Sequence, residues 1–320
     1  MTRLASRQTL NQTGGGVTDD SPAPGLPEPP TPFFQRIPPL QFAFLSLVLV
    51  FFLYQVVGGG LTLVLSRGKI TADNVQWMRG ATLIAQILFI LVPTLVLARL
   101  RGLHVASYFR FHIPDHKEVI ATVVGVFSLQ QVFQGYMMVQ DALPLPSKVQ
   151  QFIDYFKKLL EETYKLLVDA HSPTEFLFVV LVVALVPALV EELLFRGLIQ
   201  RSFEEAVGGM RGAVIAGVIF GAYHLNVFSL IPLAGLGVYF GFIVYRSQNI
   251  SIGISAHFFN NFIACVAAYM RISDDFVVLA PGVAPSTFLV VLNFVAFAMV
   301  FVFATYYFVR ITDRTPQSEY

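Results

Sequence analysis

Long uncharged stretches, separated by isolated charged residues, constrain this chain more than any other feature. From residue 36 onward, apolar blocks of the length that crosses a bilayer core, about 20 residues in a helix, follow one another. Only 13% of the residues are charged, compared with about 25% in soluble domains. The sequence therefore predicts an all-α fold, a polytopic membrane helix bundle that has the lipid bilayer as its surroundings.

We predict eight transmembrane helices from the charges that bracket the blocks. The uncharged stretch from Arg211 to Arg246 is too long for one span, and we divide it near Asn226. The predicted spans are residues 42–65, 80–98, 118–141, 173–200, 211–225, 228–245, 249–270 and 286–309. Together they form a transmembrane domain over residues 39–312.

The positively charged residues predict the orientation. If the N-terminus is inside, 13 of the 21 Lys and Arg residues lie in inner segments and the other eight in outer segments. Inner loops of membrane proteins are enriched in Lys and Arg. We therefore expect both termini to be cytoplasmic.

Three segments lie outside the predicted spans. Residues 1–38 are rich in proline and poor in apolar side chains, which predicts a disordered tail, and residues 313–320 form a short C-terminal tail. The loop at 142–172 repeats apolar residues at helical spacing with Lys and Glu between them, which predicts an outer amphipathic helix. Both a structural flap and a substrate gate fit this helix. Its apolar positions are Val149, Phe152, Ile153, Phe156, Leu159, Leu160 and Leu167.

Composition also excludes several classes of protein. The net charge is +1 and no basic patch is visible, so we expect no nucleic-acid partner. The only cysteine, Cys265, cannot form a disulfide within the chain.

Two adjacent acids, Glu191 and Glu192, stand within an apolar stretch, where ionised groups cost about 2.5–3.5 kcal/mol each. Neighbours on a helix point about 100° apart, so the two carboxylates cannot share one site. Arg196 follows Glu192 by four residues, which predicts a structural ion pair. Glu191 is then the working carboxylate. In the alternative interpretation, both acids cap the inner end of the fourth helix.

Two histidines follow in the predicted membrane region. A lone histidine in an apolar helix is more often packed than catalytic, but His224 and His257 accompany a buried acid. Asn261 lies four residues after His257 and therefore on the same helix face, whereas Asn260 points elsewhere. Phe220, one turn before His224, would wall the same side.

These residue types favour peptide-bond hydrolysis without a covalent intermediate. A carboxylate beside an imidazole can take a proton from water and pass it to a leaving amine. A second imidazole and a carboxamide can donate to an oxyanion. No GxSxG turn and no HExxH helix is present. Glu191, His224 and His257 would also make a His₂Glu zinc shell, so a zinc mechanism stays open.

Three motifs at these residues resemble a known family. Residues 191–196 (EELLFR) match EExxxR, residues 220–224 (FGAYH) match FxxxH, and residues 257–261 (HFFNN) match HxxxN. These are the motifs of the CAAX-protease and bacteriocin-processing family, also called type II CAAX prenyl endopeptidase-like or Abi proteins. The resemblance covers roughly residues 173–270.

The resemblance implies roles for individual residues. Glu191 and His224 would activate water, His257 and Asn261 would form the oxyanion hole, and Arg196 would support the site. It also implies a glutamate-type endopeptidase that requires no cofactor, with zinc as the alternative. The family's eukaryotic members, the Ras-converting endopeptidases, remove the last three residues of prenylated CAAX proteins on eight helices. The implied partner is a peptide or protein, which can be lipidated or membrane-bound, and the implied location is a bacterial inner (cell) membrane.

Two other functions compete with an intramembrane endopeptidase. The bacteriocin-related branch allows a non-catalytic binding or immunity protein that keeps the same fold. A proton-coupled transporter would use the same acid and histidines as a relay. Against a transporter, no inverted repeat or matching pair of broken helices is visible. The sequence does not specify the substrate, because nothing in it recognises a prenyl group rather than another apolar peptide end.

Overall fold

The computed structural model describes residues 33–66, 68, 71, 73–102, 105–271 and 287–313. Every regular element in these ranges is helical. The prediction of an all-α polytopic membrane helix bundle is confirmed.

Nine helices form the described bundle, together with two single-turn helices at Phe33–Arg36 and Val105–Tyr108. We label them in chain order as α1 (Pro39–Leu65), α2 (Val75–Leu100), α3 (His116–Asp141), α4 (Ser147–Val168), α5 (Pro173–Val207), α6 (Gly209–Tyr223), α7 (Leu230–Ser247), α8 (Ile250–Tyr269) and α9 (Thr287–Ile311).

Seven of the described helices are long and apolar enough to cross a membrane, namely all except α4 and α6. The chain is therefore an integral membrane protein. Helix α6, which is the fifth predicted span, has only 15 residues. At 1.5 Å per residue it is about 22 Å long, less than the roughly 30 Å of a bilayer core. It ends beside the predicted break near Asn226.

Residues 1–32 and 314–320 of the predicted tails lie outside the described residues. Position 286, at the start of the last predicted span, also lies outside them. The end of the predicted N-terminal tail is helical at Phe33–Arg36. Ile37 then packs against the hydrophobic core, and its carbonyl accepts a hydrogen bond from Arg101 at 3.3 Å.

The amphipathic segment forms helix α4, as predicted, and is tied to the bundle at two points. The buried Arg79 of α2 forms an ion pair with Glu175 at 2.6 Å and donates to the carbonyl of Leu167 at 2.9 Å. Lys157 of α4 forms an ion pair with Asp141 at the end of α3. These contacts hold α4 against the ends of its neighbours.

Helix α5 is longer than predicted and contains a proline-induced irregularity. Pro187 has no N–H to donate to the carbonyl of Val183, four residues earlier. The helix widens into π-helical turns over Val180–Leu185. It then continues to Val207, so Glu191 and Glu192 lie inside the helix and do not cap its end.

Helices α6 and α7 pack with almost no space between their backbones. A Cβ atom on Gly217 would lie 2.4 Å from the Val238 nitrogen, and one on Gly221 would lie 2.4 Å from the Ala234 nitrogen. On α7, a Cβ atom on Gly237 would lie 2.3 Å from the Gly217 oxygen. Small residues allow such close approach of helices in membranes.

We predict that Gly217→Ala lowers the stability of the bundle. The added methyl group overlaps the α7 backbone, and overpacking of this kind typically costs about 1–3 kcal/mol. The measurement is thermal unfolding of the purified protein in detergent. The matched control is Gly80→Ala in α2, where no heavy atom outside the local helix lies within 4 Å of the added Cβ atom. Equal unfolding temperatures for the two variants would contradict the close packing.

Candidate active site

Glu191 and Glu192 face different surroundings on α5. The Glu192 side chain is fully buried, whereas the Glu191 side chain keeps 19% of its surface exposed. This divergence is what the 100° step between neighbouring helical positions produces.

Glu192 lies at the centre of a buried ionic cluster. Its Oε2 is 3.2 Å from Arg196 Nε, and its Oε1 is 3.1 Å from His257 Nδ1 on α8. Arg196 also donates from Nη2 to the carbonyl of Gly237 at 2.9 Å. A buried carboxylate needs opposite charge and hydrogen bonds to offset its desolvation. Arg196 supplies the opposite charge and His257 a hydrogen bond to Oε1, whereas Oε2 has no hydrogen-bond partner among the described residues.

The backbone of α8 lies close against this cluster at Gly253. A Cβ atom on Gly253, one turn before His257, would lie 2.8 Å from Glu192 Oε2 and 2.6 Å from a Val244 methyl carbon. The glycine therefore lets α8 come close enough for His257 to reach Glu192.

Glu191 pairs with His224 at a longer distance. Glu191 Oε2 is 3.9 Å from His224 Nε2, and this oxygen has no hydrogen-bond partner in the described part of the chain. The Nδ1 atom of His224 is 2.8 Å from the carbonyl of Phe220. Since a carbonyl only accepts, His224 Nδ1 carries a proton, and Nε2 is the ring nitrogen that faces Glu191.

Phe220 connects the two pairs. Its ring centroid lies 4.7 Å from that of His224 and 5.6 Å from that of His257, both in edge-to-face geometry. The Arg196 guanidinium lies over the same ring at 4.7 Å. Phe220 therefore walls His224, as predicted, and also contacts the buried cluster.

The turn after His224 fixes the end of α6. Leu225 adopts a left-handed backbone conformation with φ of 54°, which is unfavourable for a residue with a side chain. The side-chain oxygen of Asn226 accepts from the backbone N–H groups of Phe228 and Ser229 at 3.1 and 3.2 Å. This asparagine turn reverses the chain before α7 begins.

Four residues in the contacts around Glu191 were missed by the sequence interpretation. Tyr54 of α1 and Tyr223 of α6 lie close enough to interact electrostatically with Glu191, and the hydroxyl of Tyr54 contacts Gln86 of α2. Gln55 of α1 donates to the carbonyl of Tyr223 at 3.4 Å. Gln55 and Gln86 are rare amides in two apolar spans. That rarity was the available signal, but it does not reveal which residues they meet.

Asn261 makes two side-chain hydrogen bonds within the described part of the chain. Its Nδ2 donates to the carbonyl of Val183 at 3.1 Å, and its Oδ1 accepts from Asn260 Nδ2 at 3.0 Å. The amide thus lies one helical turn after His257 and is bonded to α5.

The four residues predicted to be catalytic therefore make separate contacts in neighbouring parts of the site. Glu191 meets His224, while His257 meets Glu192, the acid expected to pair only with Arg196. The ion pair between Glu192 and Arg196, expected from their spacing, is present. Sequence separation alone could not show that a residue on α8 shares the same carboxylate.

The zinc alternative concerns Glu191, His224 and His257. The described residues contain no group of three or more His, Cys, Asp or Glu side chains that could hold a metal ion. Both histidines use Nδ1 for a hydrogen bond, His224 to a carbonyl and His257 to Glu192, and this leaves their Nε2 atoms for other partners.

Comparison with known proteins identifies this region. Residues 173–263 match one protein-family model, described as type II CAAX prenyl endopeptidase Rce1-like. The segment is Rce1-like. It includes the two acids, Arg196, Phe220, both histidines and Asn261, and it covers less than a third of the chain.

This match confirms the resemblance to the CAAX-protease family. The class of activity that an Rce1-like region implies is a membrane peptidase of CAAX-protease type. No curated protein and no solved structure matches the chain.

We predict that Arg196→Leu strongly destabilises the protein. Removing the cation leaves Glu192 buried without its full charge partner, and breaking a buried pair in this way typically costs about 3–5 kcal/mol. The check is thermal unfolding in detergent, with the exposed Arg211→Leu as the matched control. If Arg196→Leu unfolds within a degree or two of wild type, Glu192 does not depend on Arg196.

Proposed function

We propose that this chain is a membrane endopeptidase that hydrolyses a peptide bond with water activated by Glu191 and His224. The observation that carries the proposal is the Glu191–His224 pair, in which both side chains are partly exposed and the buried Glu191 Oε2 has no hydrogen-bond partner among the described residues. The Rce1-like match over the same residues supports it.

The 3.9 Å separation suits a shared water molecule. Glu191 Oε2 is buried in the structure, so the proposal requires a small side-chain movement that admits a water oxygen at about 2.8 Å from both Oε2 and His224 Nε2, an ordinary hydrogen-bond distance. Both atoms act as hydrogen-bond acceptors in this arrangement, so the water donates one hydrogen bond to each. A lone pair of the water oxygen then faces the substrate. Glu191 removes one proton as the water oxygen bonds to the carbonyl carbon.

His257 and Asn261 are our proposed donors to the oxyanion. The imidazolium form of His257 donates from both nitrogens, with Nδ1–H directed to Glu192 and Nε2–H available for the oxyanion. One N–H of the Asn261 amide donates to the Val183 carbonyl, and the second N–H is our proposed donor to the oxyanion. Losing one oxyanion donor typically costs on the order of 10²–10³ in rate.

The second half of the reaction returns the proton. As the tetrahedral intermediate collapses, the carbon–nitrogen bond breaks and Glu191 gives its proton to the leaving amine. The products are a carboxylic acid and an amine, which become a carboxylate and an ammonium group when the acid passes its proton to the amine, and Glu191 is ionised again. No covalent intermediate with the protein is needed.

The proposed substrate is a peptide or protein segment presented at the membrane, where α5 to α8 carry the site. Prenylation of that segment is an analogy with the family description and is not required by the site. We further propose a bacterial inner membrane, by analogy with the family. We also propose that both termini are cytoplasmic, as the Lys and Arg distribution favours, which requires α6 and α7 together to return the chain to the side on which α6 begins.

We predict that Glu191→Gln abolishes proteolysis, with a rate loss of roughly 10²–10⁴, because an amide cannot accept the proton from water. The measurement compares peptide termini in membranes from cells that produce wild type or Glu191→Gln at matched levels. The matched control is Glu161→Gln on α4, whose carboxylate is exposed and remote from the site. Termini generated by wild type and Glu161→Gln, but not by Glu191→Gln, would support the proposal.

Identical termini with all three proteins, each stably inserted, would overturn the proposal and favour a binding or immunity protein. A chelator added to purified, active protein separates the two hydrolytic routes. Full activity after chelation is expected for the glutamate mechanism, whereas loss of activity that zinc restores would establish the metal mechanism.

A further inference from the structure

Gln130 of α3 lies outside the segment that matches the family, yet it bonds to the HxxxN region. Its Nε2 donates to Asn260 Oδ1 at 2.9 Å and to the backbone carbonyl of Asn260 at 3.1 Å. The side-chain amide of Gln130 thus donates to two acceptor atoms of one residue, Asn260.

The contacts continue from Asn260 to α5. Asn260 Nδ2 donates to Asn261 Oδ1 at 3.0 Å, and Asn261 Nδ2 donates to the carbonyl of Val183 at 3.1 Å. In a regular α-helix this carbonyl would accept a hydrogen bond from the backbone N–H of residue 187, but Pro187 has no N–H. Four groups on three helices therefore form one directional chain of hydrogen bonds.

This chain determines which way the Asn261 amide faces. If the amide were turned over, its NH₂ would meet the Asn260 NH₂ and its oxygen would meet the Val183 oxygen. Both contacts would be repulsive, and each of these partly buried groups would lose its partner. Asn260 is held in its own orientation by Gln130, since its Oδ1 accepts from that residue.

We propose that Gln130 is a positioning residue for catalysis, which acts through Asn260 to aim the remaining N–H of Asn261 at the oxyanion. The inference rests on the proposed function, in which Asn261 is an oxyanion donor. Without Gln130, Asn260 can rotate and the Asn261 amide loses the contact that fixes its orientation. Small displacements of catalytic groups are expensive, with losses of up to about 10²-fold for a misplacement near 1 Å.

The test is a double-mutant cycle with Gln130→Met and Asn261→Ala. Methionine keeps the length of the side chain and removes its donors. The matched control is Gln131→Met, the next residue on α3, which is buried and whose Oε1 has no hydrogen-bond partner among the residues that the structure describes. The substrate is a synthetic peptide that spans a cleavage site found by the termini comparison, and kcat and KM are measured for every variant along with thermal unfolding.

We expect Gln130→Met to lower kcat by roughly 10- to 100-fold with little change in KM, because the oxyanion exists only after water attacks. Gln131→Met should stay within about twofold of wild type. In the Asn261→Ala background, Gln130→Met should have no further effect, since it acts through a group that is already absent.

A Gln130→Met effect of equal size in both backgrounds would overturn the inference, as would a loss confined to KM or one that follows the unfolding temperature. Failure of the proposed function gives a different result. In that case wild type and Glu191→Gln do not differ, and no cleavage site is found for the cycle.

Discussion

A carboxylate without access to water imposes the main constraint on this bundle. Glu192 is fully buried, so its charge requires Arg196 and His257 at contact distance. Arg196 in turn requires the Gly237 carbonyl, which it reaches at a point where α6 and α7 approach each other through glycines. The packing of α5 to α8 and the placement of His257 follow from the same buried charge.

The proline in α5 imposes a second, smaller constraint. Helices in membranes tolerate proline when neighbouring side chains satisfy the freed carbonyl. Here the side chain of Asn261 fulfils that role for Val183, so its placement is structural as well as the one proposed for chemistry. A single asparagine thereby links the shape of α5 to the geometry proposed for the oxyanion.

The apolar blocks predicted the helices well, because span length is dictated by bilayer thickness and charge marks the ends. The i,i+4 spacing also predicted the Glu192–Arg196 contact. Contacts between helices were beyond such reasoning: nothing in the sequence says that His257 reaches Glu192, or that Gln130 meets Asn260. The end of α5 was placed too early, at residue 200, because its last turns are polar and resemble a loop in hydropathy. The predicted roles of Glu191, His224, His257 and Asn261 stay predictions.

The short helix α6 has a consequence for the supply of water. Hydrolysis consumes a water molecule at each turnover, and a bilayer core holds almost none. A helix of about 22 Å is shorter than the roughly 30 Å core of a bilayer, so α6 cannot have both of its ends at a membrane face. His224 directly follows the Tyr223 end of α6 and keeps a third of its side-chain surface exposed. In the proposed reaction, water would therefore approach Glu191 from the side of His224, since the Glu192 side chain has no exposed surface.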